Sequence, residues 1–160
     1  MPVLLRRAFV AASCLWAALL VLVPLLAGRT HASALASTVV IAVYTIGSLV
    51  CHQLPERSFH LWAAQMPVCA RCAGIYFGAA LSAILFPLAQ PSRADRVGVG
   101  RRYESPRVLV ALAVLPTLAT LVYEWTTRVT PSNTLRLAAG VPIGVVVAWL
   151  VVSAAENRVN

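Results

Sequence analysis

The sequence predicts an all-α membrane protein, a polytopic bundle of about five transmembrane helices forming a single domain over residues 1–160. Three observations carry that prediction. Of the 160 residues, 60% are hydrophobic and 11% charged, with a mean hydropathy of +0.82. A soluble domain carries about a quarter charged residues, so this chain has too little polar surface to cover itself in water. The apolar residues fall into five runs of roughly the length that crosses a bilayer. The 13 arginines, with no lysine, lie mostly near the ends of those runs. Membrane proteins distribute positive charge in this way, and a nucleic-acid binder gathers it on a stripe. The net charge of +8 therefore implies the lipid bilayer as partner and no nucleic acid, with a multi-pass location in the cell membrane.

The first run, residues 8–27, follows Arg6 and Arg7. It is longer than the roughly 7–15 apolar residues of a signal peptide, so a retained helix is expected over a cleaved one. The second run, 32–50, is joined to it by a very short link holding His31, which predicts a helical hairpin. The third, 68–90, carries Gly74 and Gly78 at small-xxx-small spacing, read as ordinary helix packing. Residues 91–107 are polar, with Arg93, Arg96, Arg101, Arg102 and Arg107, and read as a surface loop. The fourth run, 108–123, contains Pro116 and is closed by Glu124 and Trp125, the latter suited to a membrane interface. The fifth, 134–155, follows Ser132 and Asn133, good N-cap residues, and repeats the small spacing at Gly140 and Gly144.

Alternation of five spans places the segment after the second helix and the segment after the fourth at the same face. The arginine-rich loop would lie opposite, in the cytoplasm by the positive-inside rule, which puts the cysteine face outside. Arg6 and Arg7 argue for the reverse.

The chemistry concentrates in CHQLPERSFHLWAAQMPVCARC, residues 51–72, where three of the four cysteines lie; Cys14 stands apart in the first run. Cys69 and Cys72 form a CxxC at the start of the third helix. Spacing i, i+3 puts both sulfurs on one side, and the helix N-terminus and Arg71 favour thiolate. With Cys51 and His52 they give a three-sulfur, one-nitrogen set, a known tetrahedral zinc composition. Zinc is the expected metal and iron the alternative; His60 is a further candidate nitrogen. The competing reading is three unliganded thiols under a loop. Glu56, Arg57, Arg71, Glu124, Asn133 and Arg136 are candidate polar residues on the same face. Arg136 lies a turn inside the fifth helix, where an unpaired charge is costly, so pairing with Glu124 or Glu56 is expected, with anion or substrate binding as the functional alternative.

The blocks CHQLPERSF, PVCARCAGIYFG and SNTLRLAAGVPIG resemble the prokaryotic membrane-protein family catalogued as domain of unknown function 2085, over roughly residues 40–150. The matching positions include Cys51, His52, Gln53, Glu56, Arg57, Ser58, Cys69, Arg71, Cys72, Asn133 and Arg136. Ala73 departs from the pattern, where the family more often carries a hydroxyl residue. The resemblance implies an integral membrane protein and no assigned activity. Three functions stay open on the residues alone. They are a Cys3His metal site at one membrane face, a quinone-linked thiol–disulfide oxidoreductase using the CxxC, and a small transporter or metal-handling permease that would work as a homo-oligomer. No nucleophilic serine motif, paired carboxylates or phosphate loop supports a hydrolase.

Overall fold

The computed structural model describes residues 2–29, 33–88 and 106–157. His31 and the loop arginines Arg93, Arg96, Arg101 and Arg102 lie outside them. The described chain is an all-α bundle of five helices: α1 (Pro2–Ala27), α2 (Ala34–Val50), α3 (Ala70–Leu88), α4 (Pro106–Thr127) and α5 (Asn133–Asn157). Leu4–Ala27, Pro106–Thr127 and Asn133–Ala154 are long and apolar enough to cross a membrane, while α2 and α3 are apolar and shorter. Large apolar side chains point outward along the bundle, among them Leu15, Leu35, Leu112, Leu115 and Leu135, as a lipid-facing surface requires.

Local chemistry sets the helix limits. Ser33 caps α2, its side chain accepting from the Ala36 N–H at 3.3 Å. Ser132 caps α5, accepting from the Leu135 N–H at 3.3 Å. The fourth helix does not close at Glu124. It runs on to Thr127 and ends at Arg128, whose φ of 58° is left-handed and whose N–H donates to the Glu124 carbonyl at 3.0 Å.

The tightest seam joins α3 to α5, the most extensive helix contact among the described residues. It is built reciprocally from the two small-xxx-small patterns. A Cβ added to Gly74 or Gly78 would collide with the Leu137 or Val141 carbonyl of α5. A Cβ on Gly140 or Gly144 would collide with the Arg71 or Ile75 carbonyl of α3. Absent side chains let two backbones touch, and in lipid such close packing drives helix association in place of the hydrophobic effect. Thr117 of α4 donates to the Ala139 carbonyl at 2.8 Å, and Ser82 of α3 to the Val145 carbonyl at 3.1 Å, adding polar ties between helices.

The insert between α2 and α3 is folded. It holds a 3₁₀ turn, Pro55–Arg57, and a small antiparallel hairpin, β1 (His60–Leu61) with β2 (Ala64–Gln65). Trp62 and Ala63 both have positive φ, the backbone of a two-residue primed turn. Met66 and Val68 enter a core with Leu20 of α1 and Ala73 of α3, against which Cys51 and Cys72 pack. Ala73 is fully buried there, a position suited to a methyl group.

Candidate metal centre

The end of α2 turns out of the helix at Cys51, whose backbone is extended. Gln53 then adopts φ of 49°, a left-handed conformation that reverses the chain. Its side-chain amide donates to the Tyr44 carbonyl at 2.9 Å and to the Pro67 carbonyl at 2.6 Å, pinning the two ends of the insert together. Gly47 makes this approach possible, since a Cβ there would fall on the Pro67 carbonyl. Gln65 closes the network from the hairpin, donating to the Gln53 carbonyl at 2.6 Å. Tyr44 hydrogen-bonds the Gln65 carbonyl. These ties set the start of α3 beside the end of α2.

The consequence is that Cys51, Cys69 and Cys72 converge: their sulfurs all lie within 4.8 Å of one another. Cys69 sits one residue ahead of α3 and Cys72 in its first turn. The Cys69 backbone N–H donates to Cys51 Sγ at 3.2 Å, tying the end of α2 to the residue before α3. Cys69 is the acidic member of the group. Hydrogen bonding from the Cys72 thiol lowers it to about 5, helped by Cys51 and by the backbone N–H groups of Cys72 and Arg71, against the opposing effect of burial. All three thiols are free and half-buried, as is the distant Cys14.

His52 is exposed and falls outside the sulfur group, but it lines the same cavity of about 330 Å³. His60 is exposed on β1, and Glu56 is exposed in the 3₁₀ turn. The second loop does reach the site. Glu124 of α4 is 8% exposed and its Oε1 lies 2.9 Å from Arg136 Nη2 of α5 and 2.8 Å from Arg57 Nη2 of the insert. These are ion-pair distances at angles too bent for good hydrogen bonds, since Glu124 Oε1 and Arg136 Nη2 both lack one. Asn133 donates to the Ser58 carbonyl at 3.0 Å, and Arg71 to Thr120 Oγ1 at 3.1 Å. The carboxylate partner of Arg136 is thus Glu124, with Arg57 sharing it.

Tyr44, Gly47, Gln65 and Thr120 are structural contributors that reading the residues did not single out. Thr120 carried a signal: Ala113, Thr117, Thr120 and Glu124 repeat at helical spacing and are all buried on one face of α4. Polar residues on the inward face of an apolar helix mark a packed or functional surface.

Fold and site together define a helical membrane protein with a thiol cluster at one end of its bundle. The match to the family model described as "Predicted membrane protein (DUF2085)" covers residues 51–150, and the chain belongs to that family. It is 34% identical over 105 residues to an uncharacterised protein of Methanothermobacter thermautotrophicus, covering 63% of this chain and 83% of that one. It is 49% identical over 47 residues to an uncharacterised protein of Methanocaldococcus jannaschii, covering 29% of this chain and 30% of the relative's length. No solved structure matches.

Proposed function

We propose that this protein carries a thiolate metal centre, of zinc, at one face of a prokaryotic cell membrane. The observation that carries the reading is the mutual approach of the Cys51, Cys69 and Cys72 sulfurs within 4.8 Å. Tetrahedral Zn–S bonds of about 2.3 Å place sulfurs about 3.8 Å apart, so modest side-chain rotation suffices to close the set. Three sulfurs with N–H support suit a borderline-soft divalent ion. Such an ion would fasten the end of α2 to the start of α3. Its fourth position would belong either to His52 or to a ligand entering from the cavity. A closed set is structural, and an open one supplies a Lewis acid or an exchangeable binding position.

The test is metal analysis of the full chain purified in detergent without chelator, with thiol titration on the same sample. Stoichiometric zinc is expected, falling to background in Cys69→Ser and Cys72→Ser. Metal-free protein with three titratable thiols in the cluster would overturn the proposal. A second reading, thiol–disulfide exchange with a quinone as acceptor, is favoured by the acidity of Cys69 beside Cys72. There the Cys69–Cys72 dithiol would lose two electrons and two protons to the quinone and become a disulfide. Trapping that disulfide by quinone treatment, with no metal present, would select it.

A further inference from the structure

The cavity beside the sulfur cluster has a second wall made of arginine. Arg57 from the insert, Arg71 from α3 and Arg136 from α5 all line it. These three cations come from three separate segments of chain, and the carboxylate they meet is Glu124, which contacts Arg57 and Arg136. Arg71 bonds a neutral threonine hydroxyl. Three positive charges thus meet a single carboxylate.

The donors are not used up either. Arg136 is 2% exposed; its Nη2 meets Glu124 at 2.9 Å, yet its Nε has no hydrogen-bond acceptor among the described residues. The Nε atoms of Arg57 and Arg71 are buried and equally without an acceptor. A buried guanidinium donor left unpaired costs free energy that native structures rarely tolerate without a ligand or water in place. A divalent ion held by three thiolates would fill none of these donors.

We infer that this cavity is a binding site for a phosphate group. Guanidinium groups brought to one cavity wall from three segments of chain suit a tetrahedral oxyanion, whose oxygens accept from several donors at once. A planar carboxylate has two oxygens and satisfies fewer. The volume, about 330 Å³, sits at the small end of the range of ligand pockets and suits a head group or a small phosphate compound. The partly exposed Leu54 and Val50 at its margin add an apolar rim. The inference goes beyond the metal proposal and stands on the arginines alone.

The phosphate could arrive free or on a lipid, and the test separates the two. The full chain is purified in a maltoside detergent, which contains no phosphate. One arm titrates inorganic phosphate and another short-chain phosphatidylglycerol, with acetate as the planar-anion control. Binding is read by calorimetry and by the rise in melting temperature. Saturable binding of inorganic phosphate supports a soluble ligand. Saturation by phosphatidylglycerol alone supports a lipid head group. In either case Arg57→Gln and Arg71→Gln should weaken binding about 10- to 100-fold each, the loss expected for one charge-assisted hydrogen bond. Arg57 is partly exposed, so its variant keeps the fold. Arg71→Lys, which keeps the charge and loses the fork, should fall between wild type and Arg71→Gln. Absence of binding in both arms, equal binding of acetate, or unchanged affinity in both glutamine variants would overturn the inference. Metal content measured on the same sample reports separately on the zinc proposal.

Discussion

Replacing Glu124 by Gln isolates the buried charge network. The substitution keeps the shape and removes the negative charge that two guanidiniums share at 2.8 and 2.9 Å. The two lose unequally. The Arg57 side chain is 40% exposed, so solvent screens it and its share is about 0–1 kcal/mol. Arg136, at 2%, has no such refuge. Leaving a buried cation without its partner costs about 3–5 kcal/mol, which lowers the folding equilibrium roughly 100- to 3,000-fold. The assay is denaturing-detergent unfolding of the full chain in phosphate-free mixed micelles, with Arg57→Gln as the exposed comparison, expected to lose under about 1 kcal/mol. The double variant Glu124→Gln/Arg136→Met removes both buried charges and should recover most of the loss, because an apolar replacement of a buried pair is commonly neutral or better. A Glu124→Gln protein within about 1 kcal/mol of wild type, or a double variant no more stable than the single, would refute the reasoning.

Two further outcomes are expected. The Cys69 thiol is lowered to about 5, so its thiolate persists above that value and is lost as pH falls through it. Alkylation of Cys69 in metal-stripped protein should therefore titrate near pH 5, where an ordinary thiol titrates near 8.5. The linked stability runs the same way: for this depressed acid it is fully present above the unfolded thiol's pKa and is lost progressively as pH drops toward 5. A titration near 8.5 would contradict the hydrogen-bonded thiolate. At the helix seam, Gly144→Leu drives a side chain into the Ile75 carbonyl and should cost about 1–3 kcal/mol or more, read as a lower melting temperature. An unchanged melting temperature would mean the α3–α5 approach is looser than the structure has it.

Much of this molecule was legible from residue order because lipid is a demanding solvent. A long apolar run has little choice but to be a helix, and the five runs became five helices. The alternation of spans also brought Glu124 and Asn133 to the cysteine face, where Arg57 and Ser58 meet them. The spacing of Cys51, Cys69 and Cys72 foretold sulfurs that converge. What stayed hidden depends on backbone states that side-chain identity signals weakly. The hairpin turns at Trp62 and Ala63, which carry neither Asn nor Gly to advertise a primed turn. The folding of the insert depends on Gln53 at positive φ, and amide–carbonyl bonds such as those to Tyr44 and Pro67 leave no periodic trace. His52 illustrates the same limit: adjacency to Cys51 in sequence did not bring it into the sulfur group, because the chain leaves α2 extended and the side chain stays exposed.

The interlocked glycines of α3 and α5 have a mechanical consequence. Two backbones in carbonyl contact at successive turns cannot slide by less than a glycine-to-glycine step of four residues, about 6 Å at the helical rise. Arg71 and Arg136 ride on those two helices and so form a stiff wall with a fixed spacing. The opposite wall is the end of α2 and the insert, and α2 has its helix contacts chiefly with α1. The chain leaves α2 at Cys51, and the Gln53 amide ties that end to the Tyr44 and Pro67 carbonyls, so this second wall is held by side-chain hydrogen bonds. The cavity thus has one wall fixed by backbone contact and one by amide–carbonyl bonds, with Cys51 on the second and Cys72 on the first.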